Sequence, residues 1–437
     1  MNRDRVIILA RGKMRDSPLY RAWSEGLACS CSYETEYDLS WSPPADVGLV
    51  VTAQQYEEPE VTILSRCMDR GQACLVLADG IVEYRNTWEN PGTRPAAIFQ
   101  PAFAHKIAVL GRAQARTLEA WGNVGKCELV GSPRLDALRG AQPRNRSKSE
   151  PFRILVVTAR TPGFTEKQLL KTRTSLRDLK NWFERNPELD GTALEPVWRL
   201  TGGMDREIGV SNRLGDVQGG ELAEQLGTVD ATITMPSTCM LEAMLCGMPV
   251  ALLDYHNRPH YVPAAWRITA PEHLDSVVPA LLAPAPARML FQDMVLHDAL
   301  ECRAPAVPRM LRLVEAMLRV ANACAAEHRP LVFPPRLLPD PQNGHHAPEP
   351  GFDLRALYPE HPVFSDLDRA RLQVEVGHLS YELQQRDAEL QRLKSALQAT
   401  GASRAVPGPL RRFWNAMPGP RKFARLVRER REREAAR

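Results

Sequence analysis

Short apolar runs, each ending at glycine or a polar residue and each followed by an amphipathic stretch, recur along the chain and leave few folds open to it. "RVIILA" from Arg5, "VGLVVTA" from Val47, "ACLVLADG" from Ala73, "KIAVLG" from Lys106 and "CELVGS" from Cys127 are Val-, Ile- and Leu-rich and lack the polar alternation of a half-exposed strand. They read as strands buried on both faces. The segments between them, such as "EVTILSRCMDRG" and "RAQARTLEAWG", have helical spacing. Strands joined by helical crossovers form a parallel sheet covered on both sides. A polar, basic, turn-rich segment at residues 139–151 interrupts the pattern. It then resumes with "RILVVTA", "EPVWRLT", "ATITMP" and "VALLD". Two doubly wound α/β units are therefore expected, residues 1–145 and residues 146–328, the second including a closing helix after Pro308. Ligands of such sheets lie beyond the carboxyl ends of the strands.

A chain of 437 residues exceeds one ordinary core, which agrees with two units plus appendages. Nine cysteines at irregular spacing include no C-x-x-C pair and no zinc-like grouping. Cys29 and Cys31, two apart, would share one face of a strand. The expectation is a reduced, cytoplasmic protein with no metal and no cofactor. Only five apolar residues precede returning charge at the N-terminus, and no run approaches the roughly 20 needed to span a bilayer.

Residues 329–365 form a Pro-rich linker, with nine prolines between positions 329 and 362. From Leu372 the positions Val376, Leu379, Leu383, Leu390, Leu393 and Leu397 follow at steps that sum to heptads, with Arg386 the one interruption. A coiled coil at residues 366–400, hence a homo-oligomer, is expected, the alternative being a helix packed back on the body. The remaining tail, residues 401–437, is basic. Between positions 404 and 437, 11 Lys and Arg stand against 3 Asp and Glu, a net +8, so a chain of net +4 carries −4 elsewhere. Phe413, Trp414, Met417, Phe423 and Leu426 lie among these arginines, a mixture suited to an anionic membrane surface. RNA or an acidic protein is the alternative partner of the tail, though nucleic acid is not the expectation.

The densest chemistry lies in "DATITMPSTCMLEAMLCGMPVALLDY", from Asp230 to Tyr255. A strand ends at Pro236, and a helix opens beside Ser237 and Thr238 and carries Glu242 about one turn in. Unpaired amides at a helix start favour phosphate oxygens, hydroxyls add donors, and a carboxylate one turn on can accept from a ribose diol. A simple helix cap and a surface glutamate would give the same letters.

That segment resembles the second-domain signature of GT-B type nucleotide-sugar enzymes. "KCELVGSPRLDAL", from Lys126, is similar to the interdomain "G-N-P-R-F-D" segment of bacterial surface-carbohydrate glycosyltransferases and to a related segment of UDP-N-acetylglucosamine 2-epimerases. "LADGIVEYRNTWENP", from Leu77, resembles a strand-end loop of the same transferases and, more distantly, of CDP-glycerol glycerophosphotransferases. The resemblance spans about residues 1–300 and implies two Rossmann-like domains, metal-independent chemistry and a nucleotide-sugar donor. On it, Ser237 and Thr238 hold the diphosphate and Glu242 the ribose. Asp79, with Gly80 behind it, stands where those families place a histidine or aspartate facing the acceptor. An ordinary aspartate, with a pKa of about 3.9, is a weak base, so burial must raise it or Asp79 only positions the acceptor. Arg134, in the "VGSPR" segment, falls on the acceptor side.

Arg160 and Thr161 after "RILVVTA", and Gly202 and Gly203 after "EPVWRLT", are further donor-site candidates. Glycines permit close backbone approach, and a guanidinium neutralises phosphate charge. Arg11 and Gly12, after the first strand, could meet an anionic acceptor. His256, His260, Tyr261 and Trp266 follow the last strong strand. Pro259 places the histidines in a loop and argues against a metal pair. The function expected is transfer of a sugar from a nucleotide donor to a surface-polysaccharide or lipid-linked acceptor, at the inner membrane face if the tail binds lipid. The alternatives are a 2-epimerase, a glycerophosphotransferase, and a non-catalytic scaffold of the same fold.

Overall fold

The apolar runs become the strands of two six-stranded sheets. The computed structural model describes residues 3–53, 58–92, 99–141, 144–147, 149–213, 222–339 and 362–399. In the first sheet β1 (Arg5–Leu9), β2 (Cys31–Glu34), β3 (Val47–Thr52), β4 (Ala73–Leu77), β5 (Lys106–Val109) and β6 (Cys127–Leu129) lie in the order β2-β1-β3-β4-β5-β6, all parallel. The second contains β7 (Phe152–Val157), β8 (Glu188–Leu189), β9 (Thr192–Arg199), β10 (Ala231–Thr234), β11 (Val250–Leu253) and β12 (Trp266–Ile268). Its order is β12-β11-β10-β7-β9-β8, parallel except for the β8–β9 hairpin. These are two Rossmann-like halves, as the alternation requires.

Each sheet is covered on both faces. On one face of the first, Val6, Ile8, Leu49 and Leu75 pack with Tyr20 and Trp23 of the helix Pro18–Ser24 and with Met310, Leu313 and Met317 of the helix Ala306–Ala326. This last helix follows the second half in the chain and was expected to close it, but it packs on the first sheet instead. The return is tight. Gly131 has φ +89°, and a Cβ there would lie 2.5 Å from the Glu301 carbonyl oxygen. Only glycine fits both the left-handed backbone and the crossing chain. The Glu301 amide donates to the Leu110 carbonyl at 2.7 Å across the same crossing. One core joins the halves: Ala78, Leu110, Leu135 and Leu138 pack with Leu155, Met240, Leu241, Val295 and Leu296.

The first residues of the Pro-rich segment are not a free spacer. Residues 329–339 hold neither helix nor strand, yet the carbonyls of Pro334 and Pro335 accept from the buried Lys106 ammonium at 2.7 and 3.1 Å. Glu128, paired with Lys106 at 2.8 Å, accepts from the amides of Leu337 and Leu338. A buried ion pair is tolerated when its remaining valences are met, and this strand of prolines meets them.

The helix Pro362–Ala399 belongs to a separate unit. Leu372, Val376, Leu379, Leu383 and Leu393 of the expected seam are exposed on it. The basic tail, residues 401–437, lies outside the described residues. Among the described residues, no single helix is long and apolar enough to cross a membrane.

Candidate functional site between the two halves

The second sheet reverses its winding between β7 and β10, since β7 pairs with both β9 and β10. In such sheets the loops after these two strands part, and the gap between them is the usual ligand position. Arg160 and Thr161 leave β7 and are exposed, while Ser237 and Thr238 leave β10 and are half-buried. Gly202 and Gly203, after β9, are left-handed, and Gly202 lies against Pro162, so all of these positions line one edge of the second half.

The first half closes on that edge. The Ile81 amide donates to Thr238 Oγ1 at 3.1 Å, and a Cβ on Gly80 would come within 2.4 Å of the same oxygen. Thr238 makes no side-chain bond to its own helix, Cys239–Leu245. Its hydroxyl, expected at a phosphate, accepts from the loop after β4 and keeps its own O–H as a donor. Ser237 Oγ lies 3.4 Å from Thr234 Oγ1. Glu242, buried at the inner side of that short helix, pairs with Arg134 at 3.0 Å. Arg134, expected on the acceptor side, therefore touches the carboxylate expected at the ribose.

Asp79 stands just beyond the end of β4 and is exposed on the residue scale. Removal of water by the surrounding protein raises its carboxyl above the ordinary value, against the opposing pull of Arg134 and Arg160. Arg11 is engaged elsewhere. It donates to the Tyr37 carbonyl at 2.9 Å, lies 4.4 Å over the Tyr37 ring and pairs with the buried Glu60 at 3.6 Å. Gly12, next to it, is exposed with φ +54°.

A second group of charges, unexpected from sequence, adjoins the crevice. Glu83 pairs with Arg85, whose Nη1 donates to the Pro162 carbonyl at 3.5 Å. His260 lies 3.2 Å from Asp254, whose other oxygen accepts from the His256 amide at 3.1 Å. His256 faces the Thr172 hydroxyl at 3.4 Å. Burial, with Arg85 next in effect, lowers the His256 imidazole to about 4. Burial raises Glu83, with Arg85 opposing. Trp266, the first residue of β12, is buried in the core. "EYRN" carried a hint in placing a buried-type pair of opposite charges two residues apart, but not which loop would bury it.

No family model matches the chain, and no curated protein matches it. Solved structures do. A Staphylococcus aureus MnaA structure with UDP superposes with a TM-score of 0.51 at 10% identity, covering 72% of this chain and 97% of that one. A Listeria monocytogenes protein assigned as a UDP-N-acetylglucosamine 2-epimerase gives 0.51 at 12% identity, covering 76% and 100%. The wall teichoic acid polymerase TagF gives 0.46 at 13%, covering 72% and 88%. The fold is that of the GT-B class, two facing Rossmann-like halves. At these identities the likeness concerns the fold, and the chemistry must be argued from the crevice.

Proposed function

We propose that this protein is a glycosyltransferase of GT-B form that moves a sugar from a nucleoside diphosphate donor to a surface-polysaccharide or lipid-linked acceptor. The observation that carries this reading is the Arg134–Glu242 pair at 3.0 Å, which joins the two halves at the helix expected to take the nucleotide. Arg160 and Ser237, at the crevice of the second half, would take the diphosphate, with Thr161 and the glycines 202 and 203 framing it. Glu242 would take the ribose diol, with Arg134 holding its carboxylate in place. Asp79 would accept the proton of the acceptor hydroxyl. That oxygen then bonds to the anomeric carbon as the sugar–phosphate bond breaks, and the diphosphate leaves with its charge met by Arg160. The raised proton affinity of Asp79 brings an ordinarily weak base nearer to working pH.

A 2-epimerase reading gains from Glu83 and the His260–Asp254 pair, because abstraction and return of a ring proton needs several acids and bases. Its sugar keeps the same nucleotide, whereas transfer releases a free diphosphate. The helix Pro362–Ala399 would join copies through its exposed leucine seam, and the basic tail would hold the assembly to anionic lipid. Incubation of the full chain with a panel of UDP- and CDP-linked sugars, with and without lipid-linked glycan, tests the proposal. Release of UDP or CDP that depends on the acceptor supports transfer. A new nucleotide sugar formed without acceptor supports epimerisation, and turnover of no donor supports the scaffold.

A further inference from the structure

Beside the crevice, residues 81–92 lie along the second half and carry an aromatic group across to it. Trp88 Nε1 donates to the Tyr261 hydroxyl at 2.9 Å. Trp121 meets both rings edge-on, at 5.7 Å to each, and Tyr84 adjoins Trp88 at 6.5 Å. The indole is thus fixed on several sides, yet Trp88 remains 50% exposed. Holding a large aromatic ring rigid with a face toward water leaves a platform for a ligand.

Beside this platform, Tyr84 and Tyr261, both in contact with Trp88, line a cavity together with Glu83, Arg85, Asp254 and Arg258. Its volume is about 10 Å³, room for one water-sized group. Arg85 is 1% exposed, and its Nη2 has no hydrogen-bond partner. A buried guanidinium nitrogen with an unused donor wants an oxygen. Glu83 pairs with Arg85 and Arg258 with Glu89, and Asp254 adds a further carboxylate beside His260. No surplus positive charge is left to select a phosphate.

We propose that this place is a sugar subsite: a pyranose ring lies on the free face of Trp88, and one of its hydroxyls enters the cavity to accept from Arg85 Nη2 and donate to Glu83 or Asp254. An indole face suits the C–H face of a sugar ring, and paired carboxylates and guanidiniums suit its hydroxyls. The ring could be that of the donor or of the acceptor. The inference rests on the nucleotide-sugar reading only for the first of these.

Saturation-transfer NMR on the full chain tests it, with UDP-N-acetylglucosamine in one sample and chitotriose and maltotriose in another. Sugar-ring protons should take up saturation in at least one sample. That uptake should fall at least fivefold in Trp88→Ala and partly recover in Trp88→Phe, which keeps a ring face without the Tyr261 bond, while both variants melt within a few degrees of the parent. Saturation confined to UDP-N-acetylglucosamine assigns the donor sugar, and saturation of a free oligosaccharide assigns the acceptor. Sugar protons silent in both samples, or unaffected by Trp88→Ala, overturn the subsite. Nucleobase protons are read separately. If they are saturated while the sugars stay silent, only the subsite falls. If they are silent while an oligosaccharide is held through Trp88, only the nucleotide reading falls.

Discussion

Arg134, from the turn after β6, and Glu242, from the helix after β10, lie 3.0 Å apart and join the two halves through charge. Glu242 is 6% exposed, so its carboxylate depends on this partner more than a surface residue would. Arg134→Met leaves it without a cation, and a loss of about 1–3 kcal/mol in unfolding free energy is expected, below the 3–5 typical of fully buried pairs because Arg134 is partly wet. Urea unfolding of both proteins at neutral pH measures it. An Arg134→Met, Glu242→Gln double variant should recover part of the loss, since no unpaired charge remains.

Ionisation of Asp79 sets the acidic limb of the pH–rate profile if it is the base. Its raised proton affinity places that limb above the ordinary aspartate range near 3.9. Arg160 pulls in the opposite direction, so Arg160→Met should move the limb to still higher pH as well as weaken the donor. Asp79→Asn should abolish the limb together with most of the rate, by 10²-fold or more. A limb unchanged in Arg160→Met would remove the coupling between the halves.

His105 gives a stability test remote from the crevice. Its Nδ1 accepts from the Cys74 amide at 3.1 Å, a bond that requires an unprotonated nitrogen at that position. Burial, then Lys126, lowers the imidazole to about 4. The unfolded chain holds its proton near pH 6.5. The neutral form's contribution is therefore complete above pH 6.5 and is lost as pH falls from 6.5 toward 4, by up to roughly 3 kcal/mol. Asn at this position offers an oxygen to the same amide and does not titrate. Unfolding free energies of His105→Asn measured from pH 7 to 4.5 should fall less steeply than those of the parent.

The strands buried on both faces were legible because a parallel sheet demands apolar runs, and β1, β3, β4, β5, β7 and β11 each carry one. β2, "CSYE", was not, since its residues are half-buried at the edge of the sheet and show no run. Cys29 precedes that strand, so only Cys31 lies on it. That Asp79 and Arg160 follow strands, and that Glu242 rides the helix after one, was legible because strand ends and turn chemistry fix where loops emerge. Arg85 and Glu83 could not be placed. Nothing local distinguishes a charged loop that bridges two halves from one in solvent, and the pairing of Asp254 with His260 spans a proline-bent loop whose path is decided by packing. Thr238, expected at a phosphate from the resemblance and its place at a helix start, also accepts from an amide 157 positions earlier in the chain, a contact no local pattern foretells.

The crevice account is tested most directly by calorimetric titration of UDP and of CDP into the full-length protein and into Glu242→Gln. Binding of at least one of them in the micromolar range is expected, weakened about tenfold or more in the variant, as loss of a charged hydrogen-bond acceptor for a ribose diol requires. Heat from neither nucleotide, or equal affinity in the two proteins, would contradict it.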